Sequence, residues 1–583
     1  YLMAPRPKKP HVYPIPSNYD QIKKVRQSTS VTLNTNKYVK ETTVPRPYQT
    51  VGILNILLLK YFILGDDPGL GKTLQTLVAY AIAKSQNPNL QLMVFTTKSA
   101  KKQWGREVTK FLQGISFHVL SNNYRSTKLK RSFTGLKARD VQYEEHLNTD
   151  ILISGYYPLM VEPHKLRNSR NADLMVVFDE CQMLKNQKSK THVGAEIFIE
   201  NVSSVYGLTA TPIKNRLLEF YYIFRIIMPK LLPLVTHFRQ EFCDEEFKYI
   251  PQKGKGSKPK MIKEVVGYKN LDHFREIIAP YFFRRAADDV GSDLPAIMSR
   301  KITFDMSPAQ SKLYREALTG VVYERKVRQR YLEFKEKIDG GAVLAPKTQE
   351  LFDALEGKYE EILSGDFLKK NKNSALAYCQ LIANGPKWLG SDEDGESTKE
   401  EAFGDLLEGE LDGQKVIVYT RFKSGIPRLI KIAEKLGIKY TRVTGDENDK
   451  QREAAMESFQ NPDSGVDIIF ITDAGSAAIN LQISGILILF DCPWTWGDLV
   501  QLIGRARRLG STHEFVRIYH MVSLGTIDER VLAVQGGKKE LVNQTVGKQA
   551  KGILEFDGED AVTPIGINDP RSEIEILFED IFS

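Results

Sequence analysis

Short apolar runs alternate with helix-length segments in two separate parts of the chain. In the first part the runs lie at 92–95, 151–153 and 175–178, and in the second part they lie at 415–419, 467–471 and 486–490. Strand-like runs that each precede a helix are typical of βα units around a parallel sheet. The pattern therefore predicts an α/β protein with two lobes, each a parallel sheet flanked by helices.

Three segments lie outside this alternation. The first is rich in Pro, Lys, Ser and Thr and is expected to be a surface extension. The second, between the lobes, loses the strand signal and is expected to be a helical insertion. The third is acidic with spaced Ile, Leu and Phe, and is expected to dock a protein partner. The predicted domains are the extension at 1–44, the first lobe at 45–300, the insertion at 301–412, the second lobe at 413–545 and the acidic tail at 546–583.

The composition favours a globular protein and argues against a membrane-spanning or zinc-binding one. The chain has 583 residues, of which 42% are hydrophobic and 26% charged, and this suits several globular units. The apolar run at 51–64 is shorter than the ~20 residues that cross a bilayer, so no membrane partner is expected. The four cysteines are far apart and no His has metal-ligand spacing, so we expect no zinc and a reducing, intracellular compartment. Nuclear, cytoplasmic and viral settings are not distinguished.

The net charge and the basic clusters of the chain are compatible with nucleic-acid binding but do not by themselves indicate it. The net charge of +9 attracts polyanions without identifying one. Basic residues cluster at 128–139 and at 253–263. A solvated basic loop and a nucleic-acid contact are equally good interpretations of each cluster.

A glycine-rich turn follows the strand that ends at Leu64, at the point where a strand should pass into a helix. Backbone N–H groups of such a turn and of the following helix N-terminus bind phosphates. In it, Lys72 is expected to reach the β- and γ-phosphates, and Thr73 to bind Mg²⁺. The strict consensus has Gly where this chain has Asp66. The turn predicts an ATP site formed by Asp67, Pro68, Gly69, Leu70, Gly71, Lys72 and Thr73.

An acidic pair, Asp179 and Glu180, ends the apolar strand at 175–178. At a strand end, an Asp is suited to hold Mg²⁺ and a Glu to orient the attacking water. A solvated acidic pair is the structural alternative. With the upstream turn, the catalytic interpretation assigns Asp179 to the metal and Glu180 to the water.

Eight motifs occur in a fixed order between Pro45 and Arg530. They are RPYQ at 46–49, DDPGLGKT at 66–73, the tract from Val94 to Trp104 with Glu107, DECQMLKN at 179–186, GLTATPIKN at 207–215, KVIVYTRF at 415–422, ITDAGSAAINL at 471–481 and QLIGRARRLG at 501–510. In this order the chain resembles the Swi/Snf-type ATPases of helicase superfamily 2. The resemblance implies two RecA-like lobes, ATP and Mg²⁺ as cofactors, and double-stranded DNA bound independently of sequence.

The resemblance also assigns roles to single residues. Tyr48 and Gln49 should recognise the adenine, and Gln182 with the segment 209–211 should link the nucleotide to lobe movement. From the second lobe, the catalytic residues should be Gln501, Arg505 and Arg508. Arg505 and Arg508 are spaced i, i+3 and are expected to share a helical face as arginine fingers, whereas Arg507 is expected to point elsewhere. A plain surface helix is the alternative for this basic run.

The chain departs from the family pattern at three places. Cys181 and Gln182 replace the usual Ala and His, and the coupling to movement is expected to differ in detail. Ser476 and Ala477 stand where glycine is common, which is expected to tighten a turn facing DNA. Ser511 replaces a frequent Gln without a physical consequence that we can derive.

Several polar tracts follow predicted strands, so they should share the carboxyl edges of the two sheets. Hydroxyls and cations at such an edge would bind DNA phosphates. For Arg284 and its neighbour Arg285, bracing the lobes is an alternative role. Trp104 and Trp494 lie beside apolar strands and are expected to fill core or inter-lobe space, with stacking on bases as the alternative. The predicted DNA contacts are Thr96, Thr97, Lys98, Ser154, Tyr156, Arg284, Arg421, Lys423 and Thr472.

The function expected from these signals is an ATP-dependent translocase on double-stranded DNA that remodels protein–DNA complexes or branched DNA. A strand-separating helicase is the second hypothesis, although no wedge element is recognisable. A nucleotide-binding scaffold without hydrolysis is the third, and the retained catalytic residues argue against it.

Overall fold

The computed structural model of the chain describes residues 11–28, 33, 36–170, 173–213, 216–250, 260–290, 294–340, 344–363, 371–390, 397–473, 479–547, 551–556 and 560–582. Within these ranges no helix is long and apolar enough to span a membrane. The same ranges contain no group of three or more His, Cys, Asp or Glu side chains placed to hold a metal ion.

The chain divides into two compact units. The first unit comprises residues 1–294, 541–550 and 568–570, and the second comprises 295–540, 551–567 and 571–583. The predicted insertion at 301–412 therefore belongs to the second unit. The predicted C-terminal tail is shared between the two units.

The first unit contains eleven helices and eleven strands among its described residues. Its helices are α1 Tyr19–Gln27, α2 Pro47–Leu58, α3 Lys72–Gln86, α4 Lys101–Phe111, α5 Gly135–Glu145, α6 Tyr157–Val161, α7 Pro163–Asn168, α8 Lys190–Phe198, α9 Leu217–Ile227, α10 Val235–Phe242 and α11 Leu271–Ile278. Its strands are β1 Tyr61–Leu64, β2 Gln91–Thr96, β3 Phe117–Val119, β4 Asn123–Arg125, β5 Ser132–Thr134, β6 Ile151–Gly155, β7 Leu174–Asp179, β8 Ser204–Leu208, β9 Cys243–Ile250, β10 Lys260–Tyr268 and β11 Phe282–Phe283.

Seven of these strands form a parallel sheet in the order β11-β1-β8-β7-β2-β6-β3. Its central strands are buried along nearly their whole length, as expected for a sheet covered on both faces. The register pairs Asp179 with Leu208 and Leu64 with Leu208. The loops after β1, β7 and β8 therefore leave the sheet side by side, at the edge where parallel α/β sheets bind ligands.

The second unit repeats this arrangement with a second parallel sheet. Its helices are α12 Pro308–Leu318, α13 Val321–Asp339, α14 Pro346–Leu363, α15 Lys372–Asn384, α16 Thr398–Glu408, α17 Ile426–Lys435, α18 Asp449–Gln460, α19 Trp496–Ala506, α20 Ile527–Val546 and α21 Glu573–Phe582, and residues 527–540 of α20 belong to this unit. Its strands are β12 Ala296–Phe304, β13 Val416–Tyr419, β14 Tyr440–Val443, β15 Ile468–Ile471, β16 Ile486–Leu489 and β17 Phe515–Ser523, and the order is β12-β17-β16-β13-β15-β14.

The core of the second unit lies between this sheet and its helices. Val418, Phe470 and Ile488 from the central strands pack with Phe403 of α16 and Leu429 of α17, and all five side chains are buried. The prediction of an α/β protein with two parallel sheets flanked by helices is thus confirmed.

Three details differ from the sequence pattern. The chain also forms two antiparallel hairpins, β4–β5 and β9–β10. β12 extends to Phe304, inside the segment expected to lack strands. The terminal segments contain packed helices as well: Ile22 of α1 and Leu577 of α21 are fully buried.

Candidate functional site

The phosphate loop lies between β1 and α3, as the sequence predicts. Gly69 and Gly71 take positive φ angles of 87° and 78°, which residues with a Cβ rarely adopt. Lys72 and Thr73 form the first turn of α3, where unpaired N–H groups and the helix dipole favour an anion. The loop therefore has the backbone geometry of a phosphate cradle.

Lys72 folds back over this loop. Its Nζ donates to the carbonyl oxygens of Asp66 at 2.6 Å and Asp67 at 3.2 Å. Burial lowers the pKa of Lys72, and the carboxylates around it, first among them Glu180, act in the opposite direction. The ammonium thus lies among the predicted catalytic carboxylates, at the start of the helix.

Asp66, the departure from the glycine consensus, has a structural role. Its carboxylate is fully buried and accepts hydrogen bonds from Arg285, whose Nε lies 2.9 Å from Asp66 Oδ1. Gln75 on α3 donates to the same carboxylate at 3.1 Å and accepts from Arg285 at 2.9 Å. Asp66, Gln75 and Arg285 therefore form a closed buried network beneath the phosphate loop.

Asp67 and Arg284 form a second pair beside the first. They are ion-paired, with side chains only 4% and 3% exposed, and the backbone N–H of Ala287 donates to Asp67 at 3.0 Å. Arg284, predicted as a DNA contact, thus lies in the interior in this structure. The sequence left open a contact with DNA and bracing of the lobes, and the structure shows a third role for Arg284 and Arg285, which is to hold the phosphate loop through Asp67 and Asp66.

Gln49 packs against the same loop from α2. Its Oε1 accepts from the backbone N–H of Arg46 at 3.0 Å, and its Nε2 donates to the carbonyl of Leu70 at 3.3 Å. A Cβ on Gly71 would lie 2.5 Å from Gln49 Nε2, so a larger residue there would displace the Gln49 amide, and the positive φ of 78° also favours glycine. Tyr48 lies beside Arg285, with the guanidinium 5.3 Å from the ring centroid. The predicted adenine-binding pair is therefore next to the loop.

Asp179 stands at the end of β7 with its orientation fixed by two donors. Its Oδ2 accepts from Thr96 Oγ1 and from Trp104 Nε1, each at 2.8 Å. Burial, with Glu180 next to it, raises the pKa of Asp179. A cation bound near this carboxylate would lower that pKa again.

Glu180 begins a chain of polar contacts across neighbouring strand ends. It has a positive φ of 54°, and it accepts from Gln182 Nε2 at 2.5 Å. Gln182 accepts from Thr209 Oγ1 at 2.9 Å, and Thr209 Oγ1 in turn accepts from the N–H of Thr211 at 3.0 Å. Gln182, which stands where the family has His, therefore connects the acidic pair to the 209–211 segment.

The predicted DNA contacts of the first unit separate into two groups. The side chains of Thr96 and Ser154 are fully buried, and that of Tyr156 is 7% exposed and donates to the Asp179 carbonyl at 2.7 Å. Thr96 and Tyr156 both contact Asp179, so we reassign these two residues to the support of the nucleotide site. The Ser154 hydroxyl donates to the Gly155 carbonyl at 2.9 Å and is used within the fold. Thr97 and Lys98 follow β2 and are half-buried and exposed, so they remain predicted DNA contacts.

The predicted contacts of the second unit separate in the same way. Thr472 is buried and donates to the Thr444 carbonyl at 2.9 Å, so its hydroxyl is used within the fold. Lys423 is exposed and ion-paired with Asp446. Arg421 lies on Trp494, with 4.0 Å between the guanidinium and the ring centroid. Lys423 and Arg421 remain predicted contacts, and Ser476 and Ala477 lie outside the described residues.

Helix α19 carries Gln501 and Arg505, both half-buried, but it ends before Arg508. Arg507 is the C-cap, with extended backbone angles of φ −81° and ψ 92°. Arg508 therefore lies beyond the helix and does not share a helical face with Arg505. The prediction of a shared helical face is therefore wrong, because the helix ends at Ala506, two residues before Arg508. Arg507 points away as expected: it is buried, and its Nε donates to the Pro295 carbonyl at 2.7 Å.

The basic clusters are only partly surface features. Lys128, Lys130 and Arg131 are exposed around the β4–β5 hairpin. Arg139 is instead buried and paired with Glu162. Most of the 253–263 cluster lies outside the described residues.

Sequence reasoning missed two residues that support this site. Trp104 was expected to fill core or inter-lobe space, yet its indole orients Asp179. Gln75 was not singled out, although an amide three residues after the loop lysine, on the same helix, could have been suspected to face the loop. The acidic residue in place of a consensus glycine was a signal for the Arg285 pair.

Comparisons with known proteins agree with the motif order. The profile of the SNF2-related domain matches residues 59–364, just over half of the chain, and that of the helicase conserved C-terminal domain matches residues 398–510. An uncharacterized ATP-dependent helicase of Mycoplasma pneumoniae is 26% identical over 90% of this chain and 44% of its own length. The ATP-dependent helicase fft1 of Schizosaccharomyces pombe is 23% identical over 88% of this chain and 54% of its own.

Among solved structures, the SWI2/SNF2 ATPase core of Sulfolobus solfataricus in complex with dsDNA is 23% identical and covers 89% of this chain and 96% of its own, with a TM-score of 0.36. At that score the likeness supports no inference. The chain spans between about a quarter and just over half of the length of its curated relatives. The first profile alone covers more than half of the chain and the second follows it in order, so the chain belongs to the SNF2-related family of ATP-hydrolysing enzymes in helicase superfamily 2.

Proposed function

We propose that the chain is a DNA-stimulated ATPase that moves along double-stranded DNA and remodels protein–DNA complexes or branched DNA. The observation that carries the proposal is the contact chain from Glu180 through Gln182 to Thr209 and Thr211. The residue that we assign to orient the attacking water is there joined to the segment that follows the neighbouring strand. Such a chain gives loss of the γ-phosphate a physical route to a change of conformation.

The first unit fits ATP with Mg²⁺ at the phosphate loop. The N–H groups of the loop and Lys72 would bind the phosphates, and Tyr48 with Gln49 would bind the adenine. Thr73 and Asp179 would hold the ion, which when bound neutralises charge on the phosphate oxygens. Thr96 and Trp104 keep the Asp179 carboxylate in one orientation for that purpose.

Duplex DNA as the track is supported by the residues that stay accessible at the strand ends. Thr97 and Lys98 in the first unit, and Arg421 and Lys423 in the second, are a hydroxyl and three cations. Groups of this kind bind phosphate and do not read bases. Relatives of the chain include ATP-dependent helicases and a chromatin remodeling factor, and these names are in keeping with a nucleic-acid substrate.

A triplex-displacement assay tests movement along an intact duplex. The chain is expected to release a third strand from an uninterrupted duplex when ATP is present, and to leave the strands of a forked duplex paired. Glu180→Gln, which should bind ATP without hydrolysing it, is the control. Release of a forked strand without triplex displacement would instead establish the strand-separating helicase. DNA binding with neither activity would support the scaffold.

A further inference from the structure

Two helices of the predicted insertion carry buried polar side chains that contact the residues holding Arg421. α15 contributes Gln380 and Asn384, and α16 contributes Lys399. All three are 0% exposed. Buried polar groups are costly unless they are paired, so their partners indicate what the cluster holds in place.

The first branch of contacts runs from Gln380 to the underside of Arg421. Gln380 Oε1 accepts from Trp494 Nε1 at 2.6 Å, and Gln380 Nε2 donates to the Cys492 carbonyl at 3.2 Å. The amide therefore fixes both the indole ring and the backbone just before it. The Arg421 guanidinium lies over this ring at 4.0 Å, close enough for a strong cation–π contact.

The second branch runs from Lys399 to the backbone of the same residue. Lys399 Nζ donates to Asn384 Oδ1 at 3.0 Å, so the Asn384 amide nitrogen faces Asp491, to which it donates at 2.8 Å. Asp491 also accepts from Thr420 Oγ1 at 2.5 Å and from the N–H of Arg421 at 2.8 Å. Lys399 is itself held by Asp528 at 2.7 Å.

Arg421 is thus held at its guanidinium by the Trp494 ring and at its backbone N–H by Asp491, while part of its side chain stays accessible. Its side chain is 23% exposed, and its one ion pair in the described part of the chain is with Asp473 at 3.8 Å. Its Nε–H is buried and has no hydrogen-bond acceptor among the described residues. A guanidinium that lies over an indole ring and stays partly exposed suits a phosphate oxygen.

We propose that Gln380 and Asn384 are positioning residues that hold Arg421 for a phosphate of duplex DNA. The inference rests on the proposed function and deepens it. The helical segment of the second unit would then form part of the DNA-coupling apparatus without touching DNA. Loss of its amides would weaken DNA stimulation while the chemistry of ATP hydrolysis stays intact.

The test is a double-mutant cycle in the full chain, with Gln380→Met and Arg421→Ala alone and together. Methionine keeps the volume and removes both hydrogen bonds. The readouts are the duplex concentration for half-maximal ATPase stimulation, its dependence on salt, and ATP turnover without DNA. Gln91→Met is the matched control, because Gln91 is a buried glutamine of the first unit that donates to two backbone carbonyls at 2.8 and 3.3 Å.

Each single variant is expected to raise the duplex concentration for half-maximal stimulation about tenfold. The dependence of log affinity on log salt concentration should become shallower by the amount that corresponds to about one lost phosphate contact. The double variant should be no worse than Arg421→Ala, and Gln380→Met should leave DNA-independent turnover unchanged. Gln91→Met should change neither DNA readout. Trp494→Phe, which loses the donor to Gln380, should reproduce the Gln380→Met defect and serves as a second variant if Gln380→Met does not fold.

Multiplying defects in the double variant, or a Gln380→Met chain that responds to DNA like Gln91→Met, would overturn the inference while leaving the proposed function standing. No effect of Arg421→Ala on duplex response would overturn it as well. Absence of any DNA stimulation in the unsubstituted chain would remove the proposed function itself.

Discussion

Replacing Arg285 with Leu should destabilise the first unit strongly, because Asp66 would stay buried without its cation. Arg285 donates to both oxygens of Asp66, to Gln75 at 2.9 Å and to the Tyr48 carbonyl. After the change, the hydrogen bond that the Asp66 carboxylate keeps among the described residues is the one from the Gln75 amide at 3.1 Å. Breaking a buried pair in this way costs about 3–5 kcal/mol, a large fraction of the 5–15 kcal/mol that stabilises a typical domain.

A companion change should recover part of this loss. Asp66→Asn in the Arg285→Leu background removes the uncompensated charge, and should restore about 2 kcal/mol. Arg300→Leu is the control, because Arg300 pairs with Glu410 on the surface, with side chains 62% and 40% exposed, and such pairs contribute at most about 1 kcal/mol.

Urea unfolding followed by pulsed hydrogen exchange measures these losses separately in each unit. Peptides covering β1, the phosphate loop and α3 should lose protection at lower urea in Arg285→Leu, and those of the second unit should not. The reasoning is refuted if Arg285→Leu costs no more than Arg300→Leu. It is equally refuted if Asp66→Asn makes Arg285→Leu worse.

Three further predictions concern the catalytic residues and a buried histidine. Lys72→Ala should abolish ATP turnover, and Glu180→Gln should bind nucleotide without hydrolysing it. Phosphate release measures turnover and nucleotide titration measures binding. Near-normal turnover in either variant would contradict the assignment. Arg508→Ala should lower DNA-stimulated kcat by on the order of 10³ with ATP affinity intact. Arg507→Ala should keep DNA stimulation but lose about 1–3 kcal/mol of stability, because it removes a buried hydrogen bond to Pro295. If Arg507→Ala lowers DNA-stimulated ATPase activity more than Arg508→Ala does, both assigned roles are wrong. Burial lowers the pKa of His520 to about 3, so the folded chain resists a proton that the unfolded chain binds below about pH 6.5. The contribution of His520 to the free energy of unfolding is therefore complete at neutral pH and should fall by about 2 kcal/mol by pH 5. Urea unfolding at a series of pH values measures this change, and the His520→Leu variant should not show it.

The sequence allowed both sheets to be predicted because their central strands are continuous apolar runs. β12 was missed because it is an edge strand: its residues alternate between buried and exposed, and Ser299, Arg300 and Lys301 interrupt the apolar pattern. The β9–β10 hairpin was missed for a related reason, since both strands carry many charges. Edge and hairpin strands need only one apolar face, and short stretches of that kind resemble loops.

Within the site, the motifs predicted which loops converge but not which side chains face outward. Thr96, Ser154 and Tyr156 were placed correctly at strand ends, yet each lies inside the sheet edge. The end of α19 was also unpredictable, because the contact that accompanies it joins Arg507 to Pro295, 212 positions away. Contacts so distant in sequence leave no local periodicity.

The most direct test of the central claim is steady-state ATP turnover of the full chain with duplex, single-stranded, forked and RNA cofactors compared in parallel. We predict that uninterrupted duplex stimulates turnover most, that duplexes of scrambled sequence stimulate it equally, and that the stimulation falls steeply with salt. Lys72→Ala should show no turnover with any cofactor. Turnover that is indifferent to duplex, or stimulated only by single strands or RNA, would contradict the claim.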